Sequence, residues 1–438
     1  MKHFALGSIL IATTAVAQQQ PPIRQLPPVA AKSSVQWNNI LGMRALPGGR
    51  VLVNDVAGRK VVLLDSMLAP ITIVADTTPA TSTAYSGRIA SIIPYRGDST
   101  LFVDPQSMSM MVVDPNGKMT RVMALPRADD AGALGGLFAS NAGLDASGRL
   151  VYRAPFRFIR NGPRPTTSNG LPMMPTPPES AMIVRVDLTT RQLDTVGVIR
   201  IPKVNMQVSQ DDKGNMRITS ELNPLPVVDE WAVLSDGTVA FVRGQDYHVD
   251  FLNADGTKRS APKIPFDWQR LTDEDKVAFI DSVKAARERL ASAQQAQQGA
   301  PTANGASRGP AGSPDGVAGQ RIVIQMGPDG GRGGAAASLG GGQAQVNFIA
   351  PSELPDYKPP FFANSVRADA DGNLWVRTIP TKQIPGGPVY DVINHDGKLV
   401  DRVQIPSGRT IAGFAADGSV YLVSRDGSAM TLERARAR

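Results

Sequence analysis

The chain has 438 residues, with 46 lysines and arginines against 39 aspartates and glutamates, a formal charge of +7, and no cysteine. Without cysteine there is no disulfide, no thiolate nucleophile and no cysteine-ligated zinc. The basic residues are scattered rather than gathered into a stripe with reading side chains, so nucleic acid is not an expected partner.

Residues 1–17 read as a secretory signal: Lys2, an apolar stretch over 4–12, and Ala15-Val16-Ala17 before Gln18. The stretch is too short to span a bilayer, and no later run is long and apolar enough to do so. The alternative is an uncleaved N-terminal anchor. Export without disulfides suits a bacterial envelope, so the chain is expected to be periplasmic or secreted. Residues 18–32 are rich in proline and glutamine and are expected to be a disordered linker.

From there one turn recurs between strand-like runs: LPGGRVLVND (46–55), RGDSTLFVD (96–104), DASGRLVYR (145–153), LSDGTVAFVR (234–243), ADGNLWVR (370–377) and ADGSVYLVS (416–424). A second turn follows in VVDPNGKM (112–119), FLNADGTK (251–258) and VINHDGKL (392–399). Glycine recurs because two-residue turns between right-twisted strands need positive φ. The first-turn glycines, Gly49, Gly97, Gly148, Gly237, Gly372 and Gly418, are spaced by 48, 51, 89, 135 and 46 residues. Spacings near 48 match one four-stranded blade. The long ones hold interruptions: a proline-rich stretch over 159–180, an extra hairpin over 203–222, and a helix with a glycine-rich tract over about 265–360. Both faces of the runs are apolar, as when each sheet packs between two neighbours. The pattern predicts an all-β, six-bladed β-propeller. Blades one to four span 33–264, an insert spans 265–360, and blades five and six span 361–438. The last blade shows three strands before the chain ends, and 33–37 (SSVQW) is expected to complete it and close the ring. An open sandwich and a seventh blade from 203–222 are the competing readings.

Within the insert, 271–298 reads as a helix. Thr272 caps it, acidic residues fill its first turn, and Lys284 and Glu288 can pair. Phe279, Val283, Ala286 and Leu290 form an apolar stripe, widened by Ile280, that should pack on the propeller's side or rim. Residues 299–345 lack large apolar side chains and are expected to be disordered, with RIVIQM (321–326) as a transient strand.

Repeats bring particular residues together. In a propeller the starts of the innermost strands and the ends of the second strands share one mouth. The starts include Arg88, Asn141, Glu230, Asn364 and Arg409; the ends include Asp55, Asp104, Arg153, Arg243 and Arg377. The arginines suit an anionic ligand. Glu230, Asn141 and Asn364 offer oxygens to calcium or another hard cation. Asp at a strand end also commonly caps the following loop. Elsewhere, Asp246, His248 and Asp250 share one strand face, while His395 and DADGN (369–373) fall in turns. GASRG (305–309) matches a nucleophile-elbow pattern but lacks its strand–turn–helix setting.

The phase of VLVNDVAGRKVVLLD (51–65) resembles an NHL-type blade, and the Glu230/Asn141/Asn364 set resembles part of the metal site of gluconolactonase-like propellers. The resemblance covers the repeats. It implies a six-bladed propeller in a superfamily of lactonases and non-catalytic binders, with calcium as a possible cofactor. The first expectation is therefore a ligand-binding or protein-interaction scaffold with a protein or anionic ligand of the cell envelope as partner. The second is a hard-metal-dependent hydrolase of the lactonase type. The third is an assembly partner that docks through the helical insert.

Overall fold

The turn glycines carry the architecture. In the computed structural model all six first-turn glycines have positive φ, from 54° at Gly97 to 85° at Gly237, as do Gly117, Gly256 and Gly397 of the second turns. The structure describes residues 20–78, 85–87, 89–136, 141–156, 177–210, 216–298, 347–382, 384–427 and 429–437. The expectations for 1–17, for 159–176 and for 299–345, including 305–309 and 321–326, lie outside these residues.

The strands form six antiparallel blades in a ring. Blade one is Ile40–Ala45, Val51–Asp55, Lys60–Leu64 and Pro70–Ala75. Blade two runs from Ser91–Pro94 through Thr100–Asp104 and Ser109–Val113 to Met119–Ala124. Blade three holds Gly143–Leu144, Leu150–Arg153, Ser180–Val186 and Leu193–Arg200. Blade four holds Glu230–Val233, Val239–Arg243, His248–Leu252 and Lys258–Ser260. Blade five holds Phe361–Ala368, Leu374–Thr378, Val389–Ile393 and Leu399–Gln404. Blade six has Arg409–Phe414, Ser419–Asp426 and Ala429–Arg436 from the C-terminus, and Ala31–Lys32 from the N-terminus.

The apolar core lies between the blades. Leu52 and Leu63 of blade one meet Phe102 and Met111 of blade two, whose other face meets Leu150 and Tyr152 of blade three. Val151 and Ile183 then meet Trp231 and Phe241 of blade four, and Ala240 and Val242 meet Val366 and Val376 of blade five. Trp375 and Val392 meet Val420 and Leu422 of blade six, and Tyr421 and Leu432 return to Val51 and Val62 of blade one. Second and third strands are apolar on both faces for this reason. Each such buried Leu or Val contributes roughly 1.5–3 kcal/mol.

Closure comes slightly earlier in the chain than 33–37. Ala31 and Lys32 pair with Arg434 and Glu433, and Trp37 adds a bridge to Met430. The stretch 18–32 is not a free linker where it is described. Ile23–Gln25 forms a fifth strand on blade five, parallel to Arg402–Gln404, and Arg24 pairs with Asp401 at 2.7 Å. Blade five offered an unpaired outer edge, and the arm satisfies it.

The hairpin over Asn205–Gln210 and Met216–Leu222 joins no blade. It takes Asn347–Phe348 as a third strand, Glu221 and Leu222 pairing in parallel with Asn347 and Phe348. The helix is Asp273–Gln298. Thr272 Oγ1 accepts the Asp275 amide at 3.2 Å, and Asp275 Oδ2 accepts the Thr272 amide at 3.0 Å, a reciprocal cap. Among the described side chains the helix docks by its first turns. Ile280 is buried and Phe279 half-buried against Leu225, Leu271, Ile349, Leu354 and Ile379, whereas Ala286 is exposed. Lys284 pairs with Asp281 rather than Glu288.

Candidate functional site

The inner strand of each blade starts at one mouth of the ring, and the second strand ends there. Three blades converge polar groups at this place. Asn141, just before Gly143–Leu144 of blade three, donates Nδ2 to the Trp231 carbonyl of blade four at 2.7 Å. Glu230 opens blade four, is buried, and accepts the Asn364 amide of blade five at 2.6 Å. Arg367 of blade five donates Nη1 to Asn141 Oδ1 at 3.4 Å and to the Val366 carbonyl at 2.7 Å. Arg153, ending the second strand of blade three, is close enough to Glu230 for each to affect the other's ionisation.

This geometry depends on an irregular strand. Phe361 pairs with Thr378, but the next regular pair is Val366 with Val376, so 362–365 bulge toward the mouth. Asn364 sits in the bulge at φ 60°, a conformation Asn tolerates better than most residues. Its neighbour Ser365 is buried, and among the described residues Ser365 Oγ has no hydrogen-bond partner.

Burial dominates the electrostatics. It pushes the Glu230 carboxyl up to about 7, against the Asn364 amide and the Arg367 and Arg153 charges. Burial also lowers both arginines from their ordinary value, and Glu230 opposes the shift in each. The nearby Asp229 is matched by Arg243 at 3.1 Å.

The other sequence-derived site residues do not join this cluster. Asp55 is buried and accepts the amides of Asn39 and Gly58, both at 2.9 Å, while its second oxygen takes Asn38. Asp104 likewise accepts the amides of Ser86 and Gln106 and the Ser86 hydroxyl. Both carboxylates hold loops, because buried backbone donors need acceptors. Arg243 braces blade four, bonding Asp250 at 2.8 Å, Asp229 and the Val198 carbonyl. Arg409 is committed to Glu433 at 2.5 Å. Arg377 acts on Tyr390, as Arg367 does, and stands at the edge of the cluster. Arg88 lies outside the described residues.

His248 and His395 sit in other networks. His248 bridges Asp246 at 2.7 Å and Asp250 at 3.2 Å, and Asp250 also takes Arg243. His395 meets Asp236 at 3.1 Å and stacks on Phe251, which Arg259 covers from 4.2 Å. Asp369 in DADGN accepts the amides of Asp371 and Asn373 and the Trp375 indole, so this loop is a turn.

Arg367 and Ser365 were missed in the sequence. Arg367 lies mid-strand by spacing, and only the bulge carries it to the mouth. A cavity of about 310 Å³ on the opposite face, near Trp375 and Asp417, belongs to the turns and not to this cluster.

A divalent cation does not fit these groups. Asn141 Oδ1, one of its would-be ligands, already accepts from Arg367. Glu230 is acted on by two guanidiniums, which would repel a metal ion. Among the described residues no group of three or more His, Asp or Glu side chains could hold a metal.

No protein-family model matches the chain, and no curated protein matches it. Similar solved structures include a gluconolactonase of Xanthomonas campestris, 10% identical, with a TM-score of 0.37, covering 95% of this chain and 97% of that one. A calcium-binding regucalcin of Agrobacterium tumefaciens is 11% identical, with a TM-score of 0.37 and coverage of 95% and 98%. Virginiamycin B lyase of Staphylococcus aureus is 9% identical, with a TM-score of 0.36 and coverage of 91% and 98%. Such distant similarity concerns the fold alone. Gluconolactonases, which the repeats resemble, are among the structures returned.

Proposed function

We propose that the protein is an exported propeller that works by binding, and that it takes its ligand at the mouth between blades three, four and five. The observation that carries this reading is the convergence of Asn141, Glu230, Asn364, Arg153 and Arg367 from three blades onto one place. Buried polar groups cost stability unless paired, so such a gathering is expensive as mere structure. Among the described residues no base is bonded to Ser365 Oγ. Phe279 and Ile280 of the helix pack in one cluster with Phe362 and Ile379 of the blade-five region. The signal-like residues 1–17 and the absence of cysteine support a place in a bacterial envelope.

The test is a thermal-shift screen of small molecules and envelope extract fractions on wild type, Asn364→Gly and Glu230→Gln. A ligand should raise Tm in wild type and lose most of its effect in both variants. A ligand whose shift survives both variants places binding elsewhere and overturns the reading. Fractionation of cells carrying the full chain tests export, which retention in the cytoplasm would refute. The second reading is a hard-metal-dependent hydrolase of the lactonase type, supported by the proximity of Asn141, Glu230 and Asn364 and opposed by Arg367. Chelator-sensitive hydrolysis of a δ-lactone, lost in Glu230→Gln, would establish it instead.

A further inference from the structure

We propose that the cavity between blades five and six, on the face of the ring opposite the mouth, is a second binding site, for an ammonium group carried on a short apolar chain. It does not depend on the mouth. It stands on the enclosure, the charge and the floor of this cavity.

The cavity measures about 310 Å³, the space of about ten water molecules. Three pieces of chain wall it: the first turn of blade five at 369–371, the first turn of blade six at 415–419, and the N-terminal arm through Arg24. The arm is held in place on this side. Ile23–Gln25 lies parallel to Arg402–Gln404, and Arg24 bonds Asp401 through Nε at 2.8 Å and Nη2 at 2.7 Å. The cavity is therefore built by the fifth strand of blade five as well as by the two blades.

The charge of the lining is one-sided. Four carboxylates, Asp369, Asp371, Asp401 and Asp417, stand against Arg24 and Arg436. Counting Arg434 as well, which acts on Asp417 together with Arg436, one net negative charge remains. It can be placed. Asp401 is taken by Arg24. Asp369 is taken by two amides, the Asn373 side chain and the Trp375 indole. Among the described residues the Asp371 carboxylate, exposed at the rim, accepts no hydrogen bond. No group of three or more His, Asp or Glu side chains among the described residues could hold a metal, so the cation that suits this rim is an organic one.

The floor is apolar and aromatic. Trp375 and Val392 are buried and Phe414 is half-buried, with the Trp375 and Phe414 rings 5.0 Å apart at 44°. The indole is pinned, because Trp375 Nε1 donates to Asp369 Oδ2 at 2.9 Å. Aromatic rings take an apolar chain and attract a cation near their faces. An ammonium at the Asp371 rim with its carbon chain on Phe414 meets both demands.

The experiment is calorimetric titration of the full chain at pH 7 and low ionic strength. The probes are n-butylammonium chloride, Nα-acetyl-lysine amide chloride, n-butanol and sodium butyrate. At least one ammonium probe should bind at a single site in the millimolar range. The alcohol and the carboxylate, which carry a similar chain without the positive charge, should bind roughly tenfold more weakly. A tighter lysine derivative identifies a protein side chain as the natural ligand, and a tighter n-butylammonium a free amine. Asp371→Asn and Phe414→Leu should each weaken the ammonium a few-fold. Asp255→Asn, an exposed carboxylate on a blade-four turn, should leave it unchanged, and added salt should weaken it. Folding of each variant is checked by its Tm. Asp371→Asn removes only an exposed charge, so it serves if Phe414→Leu does not fold. No ammonium binding, equal binding of n-butanol, or binding indifferent to both variants overturns the inference. Such a failure leaves the mouth reading standing, since none of these groups belongs to the mouth.

Discussion

Asp55 and Asp104 show how a residue can be well placed and still carry no chemistry. Both end the second strand of a blade, and both are fully buried under amides from the loops they face. Spacing alone could place them at the mouth; it could not count their donors. Asp104→Ala should leave the Ser86 and Gln106 donors unpaired and destabilise the fold by about 2–4 kcal/mol in a denaturant titration. Asp391 makes a second residue-scale prediction. Burial pushes its carboxyl up to about 6, although Arg402 at 3.2 Å and the Tyr247 hydroxyl at 2.9 Å favour the charged form. A folded value above the unfolded one means the charged form is the costly one. The contribution of Asp391 to stability is therefore full below about pH 4 and is lost as pH rises toward 6. Asp391→Asn should flatten Tm between pH 4 and 6.5, a slope worth on the order of 2–3 kcal/mol in the native chain. An unchanged slope would assign the titration to another group.

Elements are where the chain departs most from local reading. The N-terminal arm looks like a linker because proline and glutamine do not make a periodic strand. It is ordered by edges it cannot sense locally: Arg402–Gln404 for Ile23–Gln25, and Glu433 and Arg434 for Ala31 and Lys32. Trp37 anchors the second of these, 1% exposed, with Lys60 over its ring at 5.6 Å. Trp37→Ala should cost about 3–5 kcal/mol and expose the joint between blades six and one to hydrogen exchange first. The helix shows the opposite case. Its cap and acidic first turn are readable from sequence and present in the structure, but among the described residues of its apolar stripe only Ile280 is fully buried. Ile280→Asp should release the helix, seen as faster exchange at Ile349, Leu354 and Ile379, while the Tm of the propeller barely moves. A large drop in Tm would show that the insert is part of the common core.

At the scale of the whole molecule, stability is passed from blade to blade around a closed ring. Turn glycines report on it unequally. A Cβ on Gly237 would lie 2.1 Å from the Ala146 backbone of the neighbouring blade, at φ 85°. A Cβ on Gly418 would meet nothing within 4 Å, at φ 77°. Gly418→Ala should therefore cost only the left-handed backbone, about 1–2 kcal/mol, and Gly237→Ala distinctly more, because a neighbouring blade must also move. Equal losses in thermal unfolding would mean that the blades tolerate displacement at this joint.

Sequence alone determined the ring, because positive-φ turns and two-faced apolar strands are local demands on the backbone, repeated at blade spacing. It also placed Asn141 and Glu230 next to or at the start of neighbouring inner strands, whereas Asn364 lies inside the bulge of Phe361–Ala368. Tertiary structure decided which polar side chains were left over after the fold had used the rest. Asp55, Asp104, Arg243 and Arg409 are consumed by partners that spacing does not reveal, while Arg367, just past a bulge in its strand, reaches Asn141 of blade three. Hydrogen-bond satisfaction depends on groups hundreds of residues apart, such as the Asn141–Arg367 pair, and no local pattern records it.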